Sequence, residues 1–159
     1  MNAISVTAVS CLLAVGVMAA EPAGKQDFIR ITPAEVHWRD VPGGKGIQDA
    51  LLLGDTEKPG PYVVRFKFPP HMMSRPHWHP NARYITVIQG HWATGTSSVF
   101  DLSKAVVLGP GSFMLHPPGA PHWDGSSGNE EVIIQIIGEG PTEGGLVDPK
   151  QGDWIEVPH

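Results

Sequence analysis

Three histidines carry the chemistry that can be read from this chain. His77 and His79 lie in Pro76-His77-Trp78-His79-Pro80, and His122 follows in Pro117-Pro118-Gly119-Ala120-Pro121-His122. Residues i and i+2 of an extended strand point to the same face, so His77 and His79 present two imidazoles side by side. A third imidazole brought in by another strand completes a facial metal site. Neutral imidazoles suit Fe, Zn, Ni, Cu and, less well, Mn, and spacing alone does not choose among these divalent transition metals. Three nitrogens on one face leave two or three positions open to water or a chelating ligand, the property that separates catalytic from structural sites.

Strands must position these residues, and the chain is written for strands. Residues 62–68 alternate, with Tyr62, Val64, Phe66 and Phe68 facing one way and Arg65 and Lys67 the other. Residues 50–53, 84–88, 98–102, 105–108, 112–116 and 132–137 read as further short strands. Breakers separate them: Lys58-Pro59-Gly60-Pro61, Gln89-Gly90, Gly109-Pro110-Gly111, Pro117-Pro118-Gly119 and Gly125-Ser126-Ser127-Gly128. Only Thr32-Pro33-Ala34-Glu35 has a helical signature, a capping box with Pro at the first position. No sustained 3.6-residue period appears elsewhere. The pattern predicts an antiparallel barrel or double-sheet sandwich. The glycine-rich tail beyond Gly138 is expected to wrap the surface, pinned by Trp154 and Ile155.

At 159 residues the chain suits one domain, and 41% hydrophobic against 17% charged residues suits a folded core. Residues 1–20 contain no Lys, Arg, Asp or Glu, and residues 8–20 are almost wholly apolar. That run is short for a membrane span and right for a signal peptide, with small residues for cleavage after Ala19 or Ala20. Its start lacks a basic side chain; the competing reading is a buried N-terminal strand. Residues 1–20 are therefore expected to be a signal peptide and 21–159 the mature domain, with its barrel core at about 50–138 and a periplasmic or secreted location. The single cysteine, Cys11, would leave with the leader, which excludes disulfides and thiolate chemistry from the mature domain. A net charge of −5 without Lys/Arg clusters argues against nucleic acid, and no further apolar run argues for a membrane once the leader is cleaved.

The wider context of the three histidines resembles the cupin superfamily. In the family's first motif two alternate histidines precede a glutamate and, after six intervening residues, a glycine; here His77 and His79 precede Arg83 and then Gly90. The second motif is matched by Gly111, Pro117-Pro118-Gly119 and His122. The resemblance covers about the middle third of the chain. It implies an all-β fold, a single cupin or jelly-roll-like double-stranded β-helix barrel, in which strands bearing the two motifs bring His77, His79 and His122 together. It further implies a divalent transition metal held by those three residues. The three-histidine site is similar to that of cupin dioxygenases acting on a small organic molecule.

Arg83 departs from the pattern, because a guanidinium cannot ligate metal. At about 6 Å from a divalent ion it would cost on the order of 5 kcal/mol at an effective dielectric near 20. Three outcomes are open: Arg83 turns its head to solvent, it binds an anionic substrate as a planar fork, or the site has lost its metal. The last leaves a second reading of function, a non-catalytic small-molecule binding or sensing cupin with a degenerate metal site. His71, His91 and His116 could fill the gap left by the missing fourth ligand, but each reads first as a surface or packing histidine. Trp78 and Trp123 read as walls that orient the imidazoles, and Glu130-Glu131 as a solvated pair. Many such barrels associate through edge strands, so a homodimer is an expectation.

Overall fold

Alternating apolar and polar residues produce strands through most of the computed structural model, which describes residues 27–158. The expected leader, with Cys11, lies outside the described residues. Every regular element described falls in the unit that begins at Ile31. In chain order the strands are β1 (Arg39–Asp40), β2 (Gln48–Leu53), β3 (Gly60–Phe68), β4 (Met72–Ser74) and β5 (His77–Trp78). There follow β6 (Arg83–Gln89), β7 (Trp92–Gly95), β8 (Val106–Leu108) and β9 (Phe113–His116). The last are β10 (Trp123–Gly125), β11 (Val132–Gly140), β12 (Gly145–Leu146) and β13 (Trp154–Glu156).

All pairings are antiparallel. A six-stranded sheet runs β1-β2-β3-β11-β6-β9, a five-stranded sheet runs β13-β4-β10-β7-β8, and β12 pairs with β5. The fold is all-β, a double-stranded β-helix barrel. Its main core lies between the two large sheets. Tyr62, Val64, Phe68, Ile85, Val87, Ile134 and Ile136 come from the first, and Met72 and Trp92 from the second. In β3 the expected alternation holds, with Tyr62, Val64 and Phe68 buried and Arg65 and Lys67 half exposed. A smaller cluster lies on the other face of the five-stranded sheet, where Met73, Ala93, Trp123 and Val157 pack with Phe100 and Leu102. Gly95 is required there, since a Cβ at that position would sit 2.1 Å from the Trp123 ring.

The helical signature at 32–35 forms a single 3-10 turn, Pro33–Glu35. The Glu35 carboxylate accepts from the Thr32 backbone N–H at 2.8 Å and from its hydroxyl at 2.7 Å. One expected strand does not form. Residues 98–101 are loop, and Leu102–Lys104 is a 3-10 turn whose first N–H groups are capped by Asp101, with Ser103 N donating to Oδ1 at 3.1 Å. The reason is local: the short Asp101 side chain offers the backbone an alternative to a ladder, and Phe100 and Leu102 find burial against Trp123 instead. The tail wraps as expected: β13 pairs with β4, and β12 adds to β5 beside the first histidine pair.

Candidate metal centre

His77 and His122 face one another across an antiparallel bridge. Each backbone N–H donates to the other's carbonyl at 2.9 Å. The bridge places the two imidazoles with ring centroids 4.3 Å apart, and the i, i+2 relation adds His79 at 5.1 Å from His77 and 5.6 Å from His122. The Pro117-Pro118-Gly119 turn locks the arrangement. Gly119 has φ +69, a conformation that glycine adopts without a side-chain penalty, and its N–H donates to the His79 carbonyl at 2.7 Å. The three residues form one group, with ligand nitrogens within 4.8 Å of each other. The structure thus brings together the three histidines singled out by the spacing.

The tautomers follow from the hydrogen bonds. His77 Nδ1–H donates to the Arg75 carbonyl at 2.8 Å and His122 Nδ1–H to the Ala120 carbonyl at 2.9 Å. His79 Nδ1–H points to the Thr142 carbonyl at 3.3 Å. Each donation ties up Nδ1 and leaves the lone pair on Nε2, the arrangement by which backbone carbonyls orient metal-binding imidazoles. His122 Nε2 is buried and unpartnered. Such an atom costs about 1–3 kcal/mol when left unsatisfied, and a metal ion would remove that cost. The donor set therefore fits a divalent transition metal.

Arg83 does not turn to solvent. It begins β6 opposite His116 of β9 in the register, is 8% exposed, and directs its Nη1 donor onto His79 Nε2. Its Nε is buried without a partner, and it forms no ion pair among the described residues. Burial pulls its pKa down, while Tyr62 and the Asp124 carboxylate oppose that shift.

Burial also holds the imidazoles neutral. His79 falls to about 2, first by desolvation and then by the Arg83 charge; His116 falls to about 2 and His122 to about 4, again chiefly by desolvation. His77 is lowered by burial, against the pull of Asp124. Neutral imidazole is the form that ligates metal. The cluster opens into a pocket of about 920 Å³, whose lining includes Tyr62, His77, His79, Arg83, His116 and Asp124.

Two of these residues were not assigned to the site from the sequence. His116 reads as a packing histidine, yet it is 3% exposed, its ring lies 3.7 Å from that of His122, and both its nitrogens are unpartnered. Asp124 stands two residues beyond His122 on the same strand face, the relation that singled out His77 and His79, and it is 6% exposed. The i, i+2 rule would have found it. Two further histidines stay outside: His71 Nε2 meets Asn129 Oδ1 at 2.8 Å, and exposed His91 pairs with Glu130 at 2.6 Å. Trp123 packs away from the ligands, its Nε1 donating to the Val99 carbonyl at 3.0 Å, while Trp92 stacks near His116 at 5.9 Å. Trp78 is 39% exposed and lies against Gly145 of the tail.

Comparison with known proteins agrees with this fold. A polyketide cyclase, RemF from Streptomyces resistomycificus, superposes with a TM-score of 0.60 at 21% identity, covering 71% of this chain and 80% of that one. KdgF from Halomonas sp. gives 0.53 at 21% identity, covering 68% and 92%. The DMSP lyase DddQ from Ruegeria pomeroyi gives 0.58 at 18% identity, covering 75% of this chain and 64% of that one. At these identities the likeness is one of fold. No curated protein matches the sequence. The family model described as Cupin matches residues 57–145, more than half of the chain and inclusive of all three expected ligands. This chain belongs to the cupin family.

Proposed function

We propose that this chain is a metal-binding cupin that takes a small organic anion in its barrel mouth, with a divalent transition metal on the cluster formed by His77, His79 and His122. The observation that carries the reading is the convergence of neutral, largely buried imidazoles whose Nδ1 atoms are tied to backbone carbonyls and whose ligand nitrogens lie within 4.8 Å of one another. When bound, the ion supplies Lewis-acid polarisation of a ligand oxygen. The protein does the rest. Arg83, a buried charge with no carboxylate partner among the described residues, holds the anion's oxygens through its planar fork. The Tyr62 hydroxyl and Asp124 carboxylate set the electrostatic surroundings of that fork.

Dioxygenase chemistry is the enzymatic form of this proposal. Oxygen consumption with a panel of diketones and catechols tests it. The metal reading itself is tested by element analysis after reconstitution with Fe(II), Mn, Ni, Cu or Zn. Close to one equivalent, lost in His122→Ala, supports it; less than about a tenth of an equivalent with every ion removes it.

One contact favours a second reading. Arg83 donates to His79 Nε2, the lone pair that a metal would need. A non-catalytic binding or sensing cupin would use the same guanidinium to hold its ligand without metal, and ligand binding that survives chelation would select it.

We also propose export, on the strength of the apolar residues 1–20, to the periplasm or beyond. Neither nucleic acid nor membrane is proposed as a partner of the mature domain; a second copy pairing through edge strands is.

A further inference from the structure

We propose that His116, His122 and Asp124 form a second, inner ligand set, deeper than the mouth-side set, and that a divalent transition metal entering the pocket occupies it in place of the mouth-side set while Arg83 holds His79 Nε2. The proposal rests on the metal reading above, because His122 belongs to both sets. The ligand atoms of the three residues lie within 4.8 Å of one another, and exposure is only 3%, 3% and 6%.

The backbone builds this set. His116 pairs with Arg83 across β9 and β6, so both side chains enter the barrel from neighbouring strands. Asp124 pairs with Thr94 on β7, and the Thr94 hydroxyl points at Met114 Sδ, 3.6 Å away at the edge of the main core. Asp124 is thus on the inner face of β10, with His122 two residues before it. The Asp124 backbone is held by Ser74, whose Oγ accepts from its N–H at 2.8 Å.

Three observations favour the inner set. Both ring nitrogens of His116 and Nε2 of His122 are buried without hydrogen-bond partners, so a cation between them would meet lone pairs that nothing else uses. In the mouth-side set, by contrast, the His79 lone pair already accepts from Arg83. The carboxylate also offsets part of the ion's charge in a pocket that already contains a buried guanidinium, which three imidazoles cannot do. Two histidines and one carboxylate on one face, with open positions, form a donor set suited to Fe(II) and its neighbours. His122 has one lone pair left after its bond to Ala120, so an ion on the inner set excludes one on the mouth-side set.

Zn(II) binding by equilibrium dialysis, with the full chain and its Asp124→Asn and His116→Gln variants, tests the assignment, with His91→Ala as a surface control. The expected result is a loss of at least tenfold in affinity for both inner variants and none for the control. Wild-type affinity within threefold in both inner variants overturns the inner set while leaving the metal reading intact. A wild-type protein that binds neither Zn(II) nor any of Fe(II), Mn, Ni and Cu overturns the metal reading itself. Pulsed electron paramagnetic resonance of the Cu(II)-loaded protein separates ligation from electrostatic support. Two coordinated imidazoles, falling to one in His116→Gln, are expected. Three imidazoles, or a count unaffected by His116→Gln, overturn the assignment. Should His116→Gln fail to fold, the dialysis of Asp124→Asn decides.

Discussion

Arg83 and His79, four residues apart in the chain, meet inside the barrel, where the guanidinium donates to the imidazole Nε2. The contact joins a permanent cation to the atom that would otherwise ligate metal. It arises because Arg83 opens β6 on the inward face, while His79 is turned by its bond toward the Thr142 carbonyl of the tail. An ion on His79 would therefore be coupled to where Arg83 points.

Replacing Arg83 tests that coupling directly. Arg83→Glu removes a buried positive charge, frees His79 Nε2 and adds a carboxylate donor. Metal affinity is expected to rise at least tenfold, equivalent to about 1.4 kcal/mol or more. Competition with a chelator reads the change. Unchanged affinity would show that the side chain at position 83 has no influence on the ion.

Anion binding is expected to fall in the opposite direction. A buried guanidinium with no ion pair should contribute roughly 1.5–3 kcal/mol to holding a carboxylate through charge-assisted hydrogen bonds. Arg83→Gln should weaken binding of a small dicarboxylate by at least tenfold in calorimetry. Equal binding by wild type and variant would remove Arg83 from the ligand site.

The metal-free protein should be acid-sensitive. His79 and His116 titrate near 2 and His122 near 4 in the folded state, against an ordinary value of 6.5, so below pH 6.5 the unfolded chain binds protons that the folded chain refuses. Stability is thus fully present above about pH 6.5 and declines as pH falls toward 4 and below, by up to about 1.4 kcal/mol per pH unit for each such histidine. Thermal melts from pH 7.5 to 4.5 are the measurement. A melting temperature that stays flat over that range would contradict the neutral, buried state of the cluster.

Gly90 tests the framework rather than the ligands. It has φ +74, and a Cβ there would lie 2.4 Å from the Glu131 carbonyl oxygen. Gly90→Ala should cost about 1–3 kcal/mol, seen as a lowered urea midpoint. A variant as stable as wild type would mean that the β6–β7 turn adjusts freely.

Much of this protein was determined by the sequence alone. Period-2 alternation in 62–68 and 132–137 specified β3 and β11, whose pairing centres the six-stranded sheet, because burial of one strand face leaves little choice of register. The i, i+2 spacing of His77 and His79 specified two imidazoles on one face, because strand geometry converts spacing into a shared face, and the resemblance to cupins added His122. Residues 98–102 escaped that logic, since Asp101 capping and the Trp123 cluster are choices between competing contacts. Only the tertiary structure decided where Arg83 points, because alternation allows an inward arginine, and long side chains often bend back to water. It alone placed His116 against His122, for these residues lie on different strands and their proximity depends on how the two sheets close over one another. The chain thus named its donor atoms locally, while the barrel decided which of them stand close enough to share a cation.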